Sequence, residues 1–202
     1  MSLLLIRHGE TDFNATRVVQ FPDTPLGQNG LAQAERLGAR LAARPLGLVV
    51  TSDYARARMT AERIAAQAGI DLVENPLLRE RNFGELRGTP YDQLGDIDPF
   101  ALGYVPPGGE SWEVFHARVD QAWAALQALS DGVEGEIAIV THGLVLRSLL
   151  ERILDASAHV VTPDLIVGNT SVTTVERVPP WRVVELACVA HLDGGANDVA
   201  PV

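Results

Sequence analysis

Residues 3–14, LLLIRHGETDFN, place a run of apolar side chains directly before Arg7, His8 and Gly9. The apolar run predicts a short buried strand over residues 2–7. Any strand that leaves a core ends in polar residues, and that interpretation needs no function. In α/β sheets, however, ligands bind at the carboxyl ends of parallel strands, so these residues are also candidates for a site.

The rest of the chain favours alternating strands and helices. Apolar runs predict strands over 46–52, 136–143, 169–178 and 181–192, with a short strand and turn over 70–78. Apolar residues at helical spacing predict helices over 30–43, 54–69, 110–129 and 144–154. This alternation indicates an α/β fold with a mainly parallel sheet, whose strands end in RHG, TSD and THG.

The length of 202 residues suits a single domain over 1–202. Residues 82–110 are rich in glycine and proline, which predicts a lid or substrate wall with one short helix near 91–97. The helix at 110–129 is expected to bury the face that carries Trp112, Phe115, Val119, Ala122, Leu126 and Leu129. A loose tail is expected from about residue 193.

Composition disfavours several classes of function. The formal net charge of −10 makes nucleic acid and anionic membrane poor partners. All 16 basic residues are arginine, so neither a lysine Schiff base nor a P-loop lysine is available. Cys188 is the single cysteine, which excludes an intramolecular disulfide. No signal peptide and no apolar run near the ~20 residues of a membrane span is visible, so a cytoplasmic protein is expected.

Two predicted strands end in a His–Gly pair, His8–Gly9 and His142–Gly143. A lone histidine is more often structural than catalytic, but two at equivalent strand ends favour a shared site. Glycine after each histidine lets the backbone turn sharply and lets a ligand approach closely.

Arginines surround these pairs in the sequence. Arg7 adjoins His8, and Arg56 lies near the start of the helix at 54–69. A helix start combined with guanidinium groups suits an anion. Arg58, on the same helix, is interpreted as part of its solvated face.

Five elements together resemble the histidine phosphatase superfamily, which includes the cofactor-dependent phosphoglycerate mutases. They are RHGETDFN, TSDYARARMTAE, LRERNFGELRG, PPGGES and VTHG, in that order along nearly the whole chain. The resemblance implies a phosphoglycerate mutase-like three-layer α/β/α sandwich. It also implies an enzyme of the histidine acid phosphatase type, and aligns Arg56 rather than Arg58 with the family's phosphate-binding arginine.

The resemblance implies a role for each matching residue. His8 would be the nucleophile, and Glu80 would give a proton to the leaving oxygen and later take one from water. His142 would complete the catalytic set and help to hold the phosphate. The substrate-binding residues would be Arg7, Asn14, Arg56 and Gly143. Imidazole attacks only when neutral, so we expect the second nitrogen of His8 to donate to a backbone carbonyl.

Other interpretations of single residues stay open in the sequence. Glu80 could form a surface ion pair with Arg79 or Arg81. Arg87, the only basic residue between Asn82 and Glu110, is expected to be solvated rather than to reach the substrate.

No metal and no cofactor is expected. Asp92, Asp96 and Asp98 lie in a loop without a histidine or the ordered spacing of a cation site. His116 is expected to pack beside its helix's apolar face.

The leading hypothesis is a phosphomonoesterase that hydrolyses a small phosphorylated metabolite through a phosphohistidine. A phosphoglycerate mutase-type phosphoryl transfer is one alternative, which the short excursion with a single arginine disfavours. A phosphate-ester binding or regulatory protein without turnover is another, which the full set of expected catalytic residues disfavours. The terminal strands also offer an edge at which a homo-oligomer could form.

Overall fold

The computed structural model describes residues 1–162 and 165–192. Within them the chain order is β1 Ser2–Arg7, α1 Asp12–Ala15, α2 Gln28–Leu41, β2 Leu46–Thr51, α3 Ala55–Ala68, β3 Leu72–Glu74, α4 Trp112–Ser130, β4 Glu136–Thr141, α5 Gly143–Arg152, β5 Val172–Glu176 and β6 Val183–Cys188. Short 3₁₀ segments cover Pro76–Leu78, Gly84–Leu86 and Tyr91–Gln93. The predicted loose tail lies outside the described residues.

The strands form one sheet in the order β3-β2-β4-β1-β5-β6. The pairs β3–β2, β2–β4 and β4–β1 are parallel, because helices cross over between these strands. The pairs β1–β5 and β5–β6 are antiparallel. The prediction of an α/β fold with a mainly parallel sheet is therefore confirmed.

Strand β1 shows why helices cover both faces of the sheet. Successive side chains of a strand point to opposite faces. Leu3 and Leu5 pack in the cluster that includes residues of α4 and α5. Leu4 and Ile6 pack in the cluster that includes residues of α2 and α3. A continuous apolar run thus serves a sheet between two helical layers, and the three-layer sandwich is confirmed.

Helix boundaries follow the expected local chemistry. Helix α3 ends at Gly69, whose φ of 67° lies in the left-handed region that glycine adopts freely. The hydroxyl of Ser111 caps α4 by accepting a hydrogen bond from the Val114 N–H. The predicted buried face of α4 is wrong at one end, because Leu129 is 38% exposed and Trp123 is buried.

The excursion at 82–110 contains the short helix predicted near 91–97, but as a 3₁₀ helix that covers only Tyr91–Gln93. The two ends of the excursion pair with each other: the Glu110 N–H donates to the Asn82 carbonyl at 2.8 Å, and the Glu85 N–H donates to the Pro107 carbonyl at 2.9 Å.

Arg81 holds this excursion from inside the protein. Its guanidinium is 4.1 Å from the centre of the Trp112 ring and donates to three backbone carbonyls, those of Pro99, Tyr104 and Glu110. Because a buried cation without partners is costly, these bonds hold the backbone of the excursion around the guanidinium. Its role as a lid or substrate wall stays a prediction.

Strand β6 lies at one edge of the sheet and β3 at the other. Homo-oligomer formation at such an edge stays a prediction. In the part of the chain that the structure describes, no helix has the length and hydropathy that crossing a membrane requires.

Candidate active site

His8 and His142 meet because β1 and β4 are parallel neighbours. Arg7 is in register with Thr141, so His8 and His142, the next residues, leave the sheet side by side at the carboxyl ends of the two strands. The His8 N–H donates to the Thr141 carbonyl at 3.0 Å. The ring centroids of the two histidines are 5.2 Å apart, and both side chains are buried.

The hydrogen bonds of His8 define its protonation. Nδ1 lies 2.7 Å from the Gly9 carbonyl oxygen, which can only accept, so Nδ1 carries the proton. Nε2 is then the free lone pair, and Arg56 Nε donates to it at 3.2 Å. Burial lowers the pKa of His8 well below its usual value, and the charges of Arg56 and Arg7 lower it further. His8 is therefore a neutral imidazole at neutral pH.

The partner of His142 is Ser52, which follows β2. Nε2 of His142 is 2.9 Å from the Ser52 hydroxyl, which also accepts a hydrogen bond from the Tyr54 N–H. If Ser52 donates to Nε2, the proton of His142 resides on Nδ1. That Nδ1 is buried and has no hydrogen-bond partner among residues 1–162 and 165–192, so it is an unused donor beside His8.

These two histidines predict a pH-dependent stability. Both have folded pKa values well below the unfolded value of 6.5, chiefly through burial. Below about pH 6.5 the unfolded chain therefore binds more protons, and the free energy of unfolding should fall by up to ~1.4 kcal/mol per pH unit for each histidine. The raised pKa of Glu80 opposes this trend, with the contribution of one group against two.

Urea unfolding at about pH 8, 6 and 5 measures the slope. We expect His142→Asn to reduce the loss of stability on acidification relative to wild type. An identical slope in wild type and variant would contradict the buried neutral state of His142.

Arg7 and Arg56 supply two buried positive charges. Arg7 Nη1 donates to the Val167 carbonyl at 2.7 Å, and Arg56 Nη1 donates to the Phe21 carbonyl at 3.0 Å. Burial lowers the pKa of each guanidinium to about 10, so both remain charged at neutral pH. A dianionic phosphate matches this pair of cations.

The side chain of Glu80, which follows the 3₁₀ segment Pro76–Leu78, contacts the first turn of α5. Its Oε2 accepts from the Leu144 N–H at 3.1 Å, and its Oε1 accepts from the Arg81 N–H at 2.9 Å. Burial raises the pKa of Glu80, while both N–H groups and the nearby guanidinium groups oppose the rise. Arg79 pairs with Asp53 and Arg81 points away into the excursion, so the alternative of a surface ion pair is wrong.

Arg118 of α4 holds the backbone that carries Glu80. It donates to the carbonyls of Leu77, Arg79 and Glu80 at 2.9, 2.7 and 3.3 Å. It also forms an ion pair with Glu110 at 2.7 Å. No sequence pattern predicts this contact, because it joins α4 to a segment about forty residues earlier in the chain.

Asn14 and Gly143 lie at the same pocket. The Asn14 side-chain oxygen accepts from the Thr11 N–H at 3.2 Å and from the Asn169 amide at 3.4 Å. With its oxygen so engaged, Asn14 can offer its NH₂ to a ligand. Gly143 begins α5, so its N–H belongs to the electropositive end of that helix.

Six of the seven predicted residues line one pocket: Arg7, His8, Asn14, Arg56, Glu80 and Gly143. The seventh, His142, is buried and contacts the rings of two lining residues, His8 and Tyr54. The pocket therefore combines an unprotonated nitrogen, paired cations and a carboxyl group with a raised pKa. Such a set can bind a phosphate, attack it and exchange a proton with its ester oxygen.

Predictions for three residues outside this set had different outcomes. Arg87 is partly buried and lines the same pocket, so the expected solvated side chain is wrong. Arg58 is exposed and lies 3.6 Å from Glu62, as expected for a solvated helix face. His116 stacks on Trp112 with ring centroids 5.6 Å apart, as expected for a packing residue.

Sequence reasoning gave no role to Ser52, the hydrogen-bond partner of His142, although Ser52 belongs to the strand end TSD. It also missed several residues that line the pocket. Tyr54, at the start of α3, carried no signal of its own. Tyr91 and Arg17 carried none either, since the excursion meets the segment after α1 through a hydrogen bond from the Tyr91 N–H to the Arg17 carbonyl. Asp92, Asp96 and Asp98 are exposed, and residues 1–162 and 165–192 contain no cluster of three or more His, Cys, Asp or Glu suited to a metal.

Comparison with known proteins shows the family of this chain. The sequence model of the histidine phosphatase superfamily (branch 1) matches residues 3–187, and the chain belongs to this superfamily. It is therefore an enzyme of a superfamily that acts on phosphate esters. Phosphoglycerate mutase-like protein 4 of Arabidopsis thaliana is 34% identical over 206 residues, covering 95% of this chain and 86% of the relative. The probable phosphoglycerate mutase GpmB of Serratia proteamaculans (strain 568) is 33% identical over 214 residues, covering 98% of both chains.

Two solved structures are also similar. YhfR of Bacillus stearothermophilus has a TM-score of 0.79 and 31% identity, covering 95% of this chain and 99% of its own. A mycobacterial glucosyl-3-phosphoglycerate phosphatase complexed with VO₃ has a TM-score of 0.73 and 28% identity, covering 87% and 90%.

Proposed function

We propose that the protein is a phosphomonoesterase of the histidine acid phosphatase type that hydrolyses a small phosphorylated metabolite. The observation that carries this proposal is the state of His8: a neutral imidazole whose unprotonated Nε2 faces a guanidinium in a pocket shared with Glu80. We further propose that the enzyme acts in the cytoplasm, which suits its free Cys188.

In the first step Nε2 of His8 attacks phosphorus and the P–O ester bond breaks. The leaving oxygen keeps the electron pair of the broken bond and takes a proton from the protonated carboxyl of Glu80. Before attack, the hydrogen bond from Arg56 to Nε2 must break. The Arg56 guanidinium can then donate to the oxygens of the bound phosphate instead. Nδ1 of His8 keeps its proton and its hydrogen bond to the Gly9 carbonyl. The phosphohistidine therefore forms without a further proton transfer.

In the second step water attacks phosphorus while the Glu80 carboxylate takes its proton. The P–N bond breaks, and Nε2 of His8 recovers its lone pair. Arg7, Arg56 and the Nδ1–H of His142 would stabilise charge on the phosphoryl oxygens in both steps, with Asn14 and the Gly143 N–H as neutral donors. Two steps with one covalent intermediate divide a barrier that is very high without catalysis.

Two alternatives predict different products. A mutase returns the phosphoryl group to a second hydroxyl, and a binding protein releases nothing. The sequence of the excursion, with Arg87 as its one basic residue, favours water as acceptor. The assay is phosphate release from a panel of phosphorylated metabolites, run beside isomerisation of 3-phosphoglycerate.

We expect phosphate release to exceed isomerisation. Faster isomerisation than release would establish the mutase alternative. Retained phosphate or vanadate binding without any turnover would establish the binding protein.

A further inference from the structure

Arg118 and Glu110 form an ion pair with two parallel hydrogen bonds. Arg118 Nε donates to Glu110 Oε1 at 2.9 Å, and Arg118 Nη2 donates to Glu110 Oε2 at 2.7 Å. Neither residue lines the pocket that contains His8. A two-point pair of this kind fixes the orientation of the guanidinium as well as its distance from the carboxylate.

The pair also binds the backbone on both sides of Glu80. Arg118 donates to three carbonyls between residues 77 and 80, at 2.7 to 3.3 Å. Glu110 binds the other side, because its Oε2 accepts from the Asn82 N–H at 2.8 Å. The Glu110 N–H in turn donates to the Asn82 carbonyl at 2.8 Å. The chain that enters and leaves Glu80 is therefore fastened to a single ion pair.

Glu80 depends on such support because of where it lies in the chain. It stands between two 3₁₀ segments, Pro76–Leu78 and Gly84–Leu86, rather than in a helix or a strand. A proton donor must come within hydrogen-bond reach of the oxygen that leaves. A displacement of about 1 Å can lower the rate by ~10²-fold, even when the change lies far from the reacting atoms.

We infer that the ion pair of Arg118 and Glu110 positions the carboxyl group of Glu80 for proton transfer to the leaving oxygen. This inference rests on the proposed function, because it names the residues through which the proton donor of the same site is held. Arg118 and Glu110 are positioning residues and not catalytic ones, since neither reaches the pocket. Glu110 ends the excursion at 82–110, so one ion pair fixes both this end and the proton donor.

Arg118→Gln tests the inference through the effect of the leaving group. For the alkyl phosphate that wild type hydrolyses fastest in the metabolite panel, we expect kcat/KM to fall ~10- to 100-fold, the scale for a displaced catalytic group. For p-nitrophenyl phosphate we expect a loss below ~3-fold, because its leaving phenol needs little protonation. The ratio kcat/KM is measured because it includes only the steps up to departure of the leaving group. A residue that merely supported the fold would lower both values alike.

A double-mutant cycle on the alkyl phosphate gives an independent measurement. In the Glu80→Gln background, Arg118→Gln should lower kcat/KM by less than ~3-fold, because the group that it positions has already lost its function. Losses that multiply in the double variant would overturn the inference. If Arg118→Gln does not fold at the assay temperature, Glu110→Gln replaces it in both experiments. That variant removes the charge of the pair, while the glutamine oxygen can still accept from the Asn82 N–H.

Arg44→Gln is the matched control. Arg44 forms a two-point pair with Glu136, at the end of β4 opposite to His142. Its side chain and that of Glu136 are 29% and 11% exposed, close to the 17% and 16% of Arg118 and Glu110. Loss of this pair should leave kcat/KM for both esters unchanged.

The inference and the proposed function fail in different ways. An active wild type whose Arg118→Gln variant loses equally on both esters would overturn the positioning role and leave the phosphatase standing. Absence of phosphate release by wild type from every ester would overturn the phosphatase, and the positioning role with it.

Discussion

Replacing His8 by alanine is expected to lower kcat for phosphate release by ~10⁴-fold or more, the scale seen when a covalent nucleophile is removed. The reason is that His8 is the one imidazole among the described residues that line the pocket. Nε2 of His8 is an unprotonated nitrogen in the cationic pocket. Without it, water must attack the ester directly, and the covalent intermediate is lost. Steady-state kinetics with a coupled phosphate assay measures the loss.

His159→Gln is the matched control for this variant. His159 bonds to the Val183 carbonyl, outside the pocket, and the glutamine amide can keep that bond. It should keep near wild-type turnover. Comparable activity in His8→Ala and wild type would remove His8 from the mechanism.

Glu80→Gln is expected to lower kcat by ~10²- to 10⁴-fold on alkyl phosphates, the usual contribution of general acid–base catalysis. Glutamine keeps the shape of the side chain but has no proton to give. With p-nitrophenyl phosphate, whose leaving phenol is far more acidic, the first step needs little protonation and a smaller loss is expected. The ratio of the two losses is the measurement.

One structural effect accompanies the Glu80→Gln change. The carboxylate accepts from the N–H groups of both Arg81 and Leu144, and an amide can accept from only one of them with its oxygen. Thermal unfolding separates this effect from catalysis. The role of Glu80 as proton donor would be contradicted by an equal loss on both substrates.

The sequence identified the core of the site for a physical reason. The end of a buried strand is visible in the sequence as an apolar run followed by polar residues. Parallel neighbouring strands bring these polar residues together at their carboxyl ends, so Arg7, His8 and His142 follow from patterns of a few residues. The family resemblance added Asn14 and Glu80, which no periodicity selects.

What the sequence left out depends on tertiary packing. Arg87 was expected in solvent, yet it lines the pocket and donates a hydrogen bond to the Tyr54 hydroxyl. Arg118 holds the Glu80 backbone from a distant helix. The excursion has no period that predicts its path, and its shape follows from the buried guanidinium of Arg81.

Direct detection of the covalent intermediate tests the central claim. The enzyme is mixed with substrate, quenched rapidly in alkali, where phosphohistidine persists, and digested for mass spectrometry. We predict one added phosphoryl group on His8, formed within a single turnover and absent from His8→Ala. A phosphoryl group on any other residue, or turnover with His8 unmodified throughout, would contradict the account.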